Sequence, residues 1–375
     1  VGVATSALAL TPEQTLLLLT SLPYLGDEHE DQVRRSVKAG LDWDVVLWRA
    51  EQFGTLPVLH HHLERLGLGS TLPPHVAAYL TTWSRLAALR AQVLQAELAA
   101  IVGIFERYGL PYFVLKGSAI APLYYPDPFI RHMLDIDIMI RQDDFPIARD
   151  LLFGHGYRHG VWLPDNNEMV EVRDPVVDLV THHEFPALQR QVSVANRLGT
   201  GDVPEPWKRK HLKLAISPST ISFVVFVDLH FNLAVGLDVD DVWHDVGRKP
   251  ILGSSVPVQS PTDMVWFLAA RLYNETFQHN AKKLVMLGDL FSILRTERED
   301  IDWSRVLSVC AKYSLGPAVF YVLAHLENLT HVGVPQWVLS RLAPDIGGLG
   351  EGNDWGDLMP KLFAIPVVHD LCLSP

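Results

Sequence analysis

The chain has almost no cysteine: Cys310 and Cys372 are the two thiols in 375 residues. That excludes a disulfide framework and a cysteine-based zinc site. It also has no excess of positive charge. Thirty-one Lys and Arg stand against 43 Asp and Glu, a formal net charge of −12. Nonspecific nucleic-acid binding depends on Lys and Arg at phosphates, so that class is disfavoured, while a local basic pocket for one nucleotide is not. No uncharged apolar run reaches membrane-spanning length; the most apolar, ISFVVFVDLHFNLAVGL, is broken by Asp228 and His230. The first residues are neither basic nor followed by a long apolar core, so no signal peptide and a cytoplasmic setting away from membranes are expected. Two common phosphate-binding signatures, Gly-x-x-x-x-Gly-Lys-Ser and a strand-linked Gly-x-Gly-x-x-Gly, are missing, as is a Ser-centred nucleophile elbow.

What remains is an ordinary globular composition, 48% hydrophobic and 20% charged, in a chain long enough for two or three packed units. Residues 1–108 read as helical. TPEQTLLLLTSL opens with a Thr cap, and TTWSRLAALRAQVLQAELAAIVGIFERYG is a helix-forming run that stops at Gly109. Residues 109–235 alternate strand and helix patterns. Residues 236–375 read as helical again, with PTDMVWFLAARLYNETF, KKLVMLGDLFSILR, DWSRVLSVCAKYS and PAVFYVLAHLENL closely spaced as in a bundle.

The chemistry concentrates in the middle region. In LDIDIMI, Ile136, Ile138 and Ile140 alternate with Asp135, Asp137 and Met139. This period-two pattern predicts a half-buried strand with both carboxylates on one face. Two acids so placed repel each other unless a cation lies between them, and for an all-oxygen pair the usual cation is Mg²⁺ with a phosphate group. Upstream, the strand-like YFVLK breaks at Gly117-Ser118 and turns helical. A strand, a small turn and a helix N-terminus make an anion site, because free N–H groups and the positive end of the dipole face the ligand. A phosphate cradle followed by metal-binding acids points to phosphoryl or nucleotidyl transfer. Further on, Asp228 and His230 share a face of FVVFVDLHF and are aimed at one site.

The run FVLKGSAIAPLYYPDPFIRHMLDIDIMI resembles the polymerase-beta-like nucleotidyltransferases, whose signature is Gly-Ser, a spacer, then Asp-x-Asp. The Lys-Gly start, the Tyr-Pro-Asp-Pro segment, Arg131 and the later VDLHFNL resemble one branch, a bacterial nucleotidyltransferase family often found in biosynthetic gene clusters. The resemblance is specific over 112–157 and 227–233, and its spacer from Ser118 to Asp135 is longer than in minimal transferases. It implies an α+β fold, with a small mixed-sheet nucleotidyltransferase core at 109–235 flanked by helical regions. It also implies a Mg²⁺-dependent enzyme that moves an NMP from an NTP such as ATP, with two ions and loss of pyrophosphate. Asp135 and Asp137 would ligate both ions. Asp228 would ligate the ion nearer the acceptor, where it could take the acceptor's proton. Gly117 and Ser118 would contact the β- and γ-phosphates, with His230 beside the third acid. Lys116 and Arg131 would either touch phosphate or hold a carboxylate. The acceptor, a small molecule or a peptide or protein side chain, and the base preference are not readable.

Other readings stay open. Asp178, in VVDLVTHHE, is a second candidate for the third acid. His182, His183 and Glu184, used with Asp228 and His230, suggest a metal-dependent phosphohydrolase, although no His-Glu-x-x-His helix is present. A protein of the same fold that binds nucleotide without catalysis, as a scaffold, is the non-enzymatic alternative. The triplet His60-His61-His62 reads as surface or partly buried, since neighbouring helix positions point apart. The basic insertion at 186–218, with PWKRKHLK, is either a solvated loop or a lid that brings Arg209 or Lys210 over a triphosphate.

Overall fold

A computed structural model describes residues 10–163, 168–171, 184–198, 214–234, 236–281, 283–344 and 358–363. Its contacts divide the chain into two compact units. A composite unit joins Val1–Gly54 with Val265–Pro375, and a central unit spans Thr55–Met264.

The composite unit begins with three helices, α1 (Pro12–Leu19), α2 (Asp27–Lys38) and α3 (Trp43–Gln52). Thr11 caps α1 in a reciprocal box with Gln14, and Asp42 caps α3 through the N–H groups of Asp44 and Val45. Each such cap satisfies backbone donors that a helix start leaves open.

The central unit is built on α4 (Leu56–Arg65) and α5 (Pro74–Tyr108). Pro74 starts α5, and Gly109, left-handed at φ 66°, ends it. By length and composition α5 could cross a membrane, but over half of its most apolar window is buried inside the protein. Trp83, Leu94, Leu98, Ile101 and Phe105 lie in that buried stripe, each contributing about 1.5–3 kcal/mol.

Strand β1 (Tyr112–Val114) leads into α6 (Lys116–Tyr124), and β2 (Asp135–Ile140) into α7 (Phe145–Gly154). Helix α6 ends where Tyr125, preceding Pro126, turns extended at ψ 147°. Strands β3 (Gly160–Leu163) and β4 (Glu168–Glu171) form a separate antiparallel pair. Next come β5 (Leu188–Ala195), β6 (Leu214–Ile216), β7 (Thr220–His230), α8 (Val239–Trp243), β8 (Val246–Ile251) and β9 (Ser254–Gln259). The main sheet runs β5-β7-β2-β1-β9-β8, with β6 also paired to β7. Strand β7 is parallel to β2, as β1 is to β9, while the other pairings are antiparallel. Since β5 and β6 both pair with Ile221–Phe223, they occupy opposite edges of β7.

The chain closes with α9 (Pro261–Phe277), α10 (Val285–Glu297), α11 (Trp303–Lys312), α12 (Gly316–Thr330), α13 (Gln336–Leu342) and α14 (Leu358–Phe363). Within the composite unit the two chain segments interlock. The Val285 N–H donates to the Phe53 carbonyl at 3.1 Å, and Phe53 meets Phe363 edge-on at 5.8 Å. A Cβ on Gly288 would run into the Ser21 carbonyl, so α10 needs glycine there.

The fold is the mixed sheet with helical flanks that the motifs implied. Three details differ from the sequence reading. Residues 246–259 form the β8–β9 hairpin and not helix. The first part of the basic insertion is the edge strand β5, where Arg190 donates to the buried Glu97 carboxylate at 2.8 Å. Strand β2 is buried on both faces apart from Asp135, because charged neighbours enclose Asp137.

Candidate active site

Asp135 and Asp137 sit two residues apart on β2, and Asp137 is the register partner of Asp228 on the parallel strand β7. Side chains at matched positions of neighbouring strands share a face, so the backbone ladder sets all three acids side by side. His230, two residues beyond Asp228, lies on that face as well.

Asp137 is 4% exposed and heavily bonded. Lys116 Nζ lies 2.5 Å from its Oδ1, and His230 Nε2 lies 2.9 Å from the same oxygen and 3.1 Å from Lys116. Burial alone would raise the Asp137 pKa. The Lys116 charge and the His230 contact overcome burial and hold the carboxyl well below the usual carboxylate range. Glu184, joined to His230 by a backbone bridge, places Oε2 3.5 Å from His230 Nδ1. Burial and Lys116 lower the His230 pKa, with Asp137 and Glu184 opposing them.

Asp228 is in the contrary state. Burial, then repulsion from Asp135 and Asp137, pushes its pKa up to about 7, against the pull of Lys116. Adjacent carboxylates with opposed shifts are what crowding of acids produces once one of them has taken the available cation. Among the described residues, no three His, Cys, Asp or Glu side chains converge as a ready metal cage. At Asp137 the Lys116 ammonium already sits on Oδ1. The donor chemistry still suits a hard cation, because three carboxylates lie on one face and repulsion keeps one short of charge.

The turn before α6 closes the site from the other side. Ser118 Oγ accepts from the Asp137 N–H at 3.3 Å, and the Leu115 N–H donates to the Asp137 carbonyl at 3.1 Å. These bonds tie the helix N-terminus to the acid strand. Lys116 holds a left-handed backbone at φ 48°, a conformation costing a residue with a Cβ about 1–2 kcal/mol. A Cβ at Gly117 would meet the Arg131 guanidinium, which also donates to the His132 carbonyl at 2.8 Å. Lys116 therefore holds a carboxylate, whereas Arg131 covers the glycine turn.

The sequence reading missed Arg90. It lies on α5, 1% exposed, and donates to the carbonyls of Leu134 at 2.8 Å and Val224 at 3.2 Å. One guanidinium thereby fastens the start of β2 to β7. Burial lowers its pKa to about 10, with Asp135 pulling the other way. The available signal was a lone Arg on the apolar stripe of a long helix. Glu184, which the sequence suggested only for a phosphohydrolase, contacts His230. His182, His183, Asp178, Arg209 and Lys210 lie outside the described residues.

No curated protein and no solved structure matches the chain. A family match covers residues 39–331, which include the whole acid face, the glycine turn and Arg90. By that match the chain belongs to the family described as uncharacterised nucleotidyltransferase.

Proposed function

We propose that the protein transfers an NMP from an NTP to a hydroxyl-bearing acceptor, with Mg²⁺ required and pyrophosphate released. The observation that carries this reading is the Asp137–Asp228 register on parallel strands, with Asp135 beside them and the Gly117–Ser118 helix start bonded to Asp137. In the reaction, the acceptor oxygen bonds to the α-phosphorus while the bond to the bridging oxygen of pyrophosphate breaks. Pyrophosphate leaves with that electron pair. Asp228 takes the hydroxyl proton, a role that suits a carboxyl poised near neutrality. Asp135, Asp137 and Asp228 would hold Mg²⁺, which supplies charge neutralisation on the triphosphate and on the attacking oxygen. The N–H groups at Gly117 and Ser118 would orient the phosphates. With Asp137 holding Mg²⁺, the Lys116 ammonium would be available to the triphosphate.

One observation favours a second reading. Lys116 already neutralises Asp137, as it would in a protein of this fold that binds nucleotide without turnover. Incubation with each α-labelled NTP, Mg²⁺ and a cell extract separates the two. Label should pass to an acceptor with the wild-type protein and not with Asp228→Asn. Tight NTP binding without transfer under every condition would establish the non-catalytic reading instead.

A further inference from the structure

Within the central unit, α4, α5 and residues 127–130 line a cleft of about 600 Å³, a size typical of small-molecule sites. Its chemistry is mixed. His60 and His61, consecutive on α4, are half-buried, and burial is the main cause that holds both imidazoles below their ordinary pKa. They therefore face the cleft as neutral groups able to donate and accept hydrogen bonds. Ser84, on α5 in the same lining, has a buried Oγ with no hydrogen-bond partner in the protein. A buried polar atom left unbonded is costly, so a ligand that bonds it gains. Arg65 and Arg85 are exposed and add two positive charges to the lining. Two acids also line the cleft: Asp127, which accepts the Phe129 N–H at 2.9 Å, and Glu64, which approaches His60 at 3.8 Å. Ala88, Phe129 and Ile130 supply apolar wall.

The cleft is linked to the proposed reaction centre along the chain. Its 127–130 wall continues into Arg131, whose guanidinium lies over Gly117 at the phosphate turn. His132 then packs on Trp83, the neighbour of Ser84, at 4.9 Å. Three residues later the chain reaches Asp135.

We propose that this cleft is the acceptor site, and that the acceptor is a small hydroxylated molecule with one anionic group. The inference rests on the transferase reading above. The anion pairs with Arg85, and hydroxyls bond to His60, His61 and Ser84. The hydroxyl nearest the Arg131 end is the one presented for transfer.

The test uses the full chain without NTP and a panel of probes: polyol phosphates, sugar phosphates and hydroxycarboxylates at millimolar concentration. Thermal shift and calorimetry are run on wild type, on Ala88→Trp, which fills the cleft, and on Arg85→Glu, which reverses a surface charge. At least one probe should stabilise wild type and bind about tenfold more weakly to both variants. Affinity for a non-hydrolysable Mg–NTP analogue should stay unchanged in both, which also shows that they are folded. The proposal is overturned if no probe stabilises wild type, or if Ala88→Trp binds the probes as well as wild type does. It is equally overturned if Ala88→Trp loses the NTP analogue, because the cleft would then house the nucleoside. Probe binding by a wild type that takes no NTP analogue would instead sink the transferase reading and leave the cleft as a binding site.

Discussion

The buried hydroxyls of the composite unit and the buried charged groups around the acid face of the central unit are satisfied differently. In the composite unit, buried hydroxyls are bonded locally, within helices or at their ends: Thr20 to Leu16, Ser21 to Leu18, Thr276 to Leu272 and Ser292 to Gly288. In the central unit, buried polar groups reach across the chain. Arg90 spans 44 and 134 positions, His230 meets Asp137 over 93, and Lys116 meets Asp137 over 21. Local bonds keep a helix comfortable and commit the fold to little else. Long-range bonds between charges have to offset a desolvation cost that an apolar pair would not incur. Their concentration around one acid face marks where the protein has kept charge inside for a purpose other than stability.

The largest effect should come from breaking that face. Asp135→Asn and Asp228→Asn should each lower NMP transfer by about a hundredfold or more, measured with α-labelled NTP. Ser292→Ala in the composite unit should leave transfer at the wild-type rate. Equal losses in all three would erase the distinction between the units.

Stability should divide the acids among themselves. Sequence alone suggests that losing either β2 carboxylate relieves repulsion and spares the fold. The Lys116 contact reverses this for Asp137. Asp137→Asn leaves the half-buried Lys116 ammonium without its counter-charge, so it should cost about 3 kcal/mol in urea unfolding, while Asp228→Asn should be neutral or stabilising. Arg90→Met should lie close behind Asp137→Asn, at about 2–3 kcal/mol, because the buried Val224 carbonyl and the Leu134 carbonyl lose a charged donor. A destabilised Asp228→Asn beside an unaffected Asp137→Asn would mean that the cation is assigned to the wrong acid.

A pH series sharpens the same contrast. The folded pKa of Asp228, about 7, lies above its ordinary value of 3.8. The folded state thus holds the extra proton between those values, and the Asp228 contribution to stability is lost as pH rises through about 7. Without metal, wild type should melt at lower temperature at pH 8 than at pH 6. Asp228→Asn should remove about 1 kcal/mol or more of that difference. An identical slope in the variant would show that the carboxyl is already charged in the folded protein. The smallest effect should be Ser292→Ala itself, about 1 kcal/mol or less, seen as a minor change in urea midpoint.

The acids were legible because period-two alternation fixes a face and because Gly-Ser and VDLH bracket them. Arg90 was not, since a helix pattern shows which face is buried but not which carbonyls lie 44 and 134 residues away. The left-handed backbone at Lys116 was hidden because glycine usually advertises that conformation. The β8–β9 hairpin escaped for a related reason. Its turn, Leu252-Gly253, has positive φ at both positions, 52° and 77°, where Asn-Gly or Asp-Gly is the usual signal. Its edge strand β8 is also mostly exposed, without clean alternation.

Because β2 and β7 carry the acids on one hydrogen-bonded ladder, the spacing between Asp137 and Asp228 belongs to the main chain and not to side-chain rotamers. The ladder is indifferent to small changes in side-chain size but intolerant of changes in residue count. Deleting one residue between Ile221 and Val227 would let β7 keep its pairing with β2 only by turning the segment before the deletion over, or keep its core face only by sending Asp228 to the opposite side. Single-residue length changes should accordingly be absent from that segment in active relatives, even where its apolar residues interchange freely.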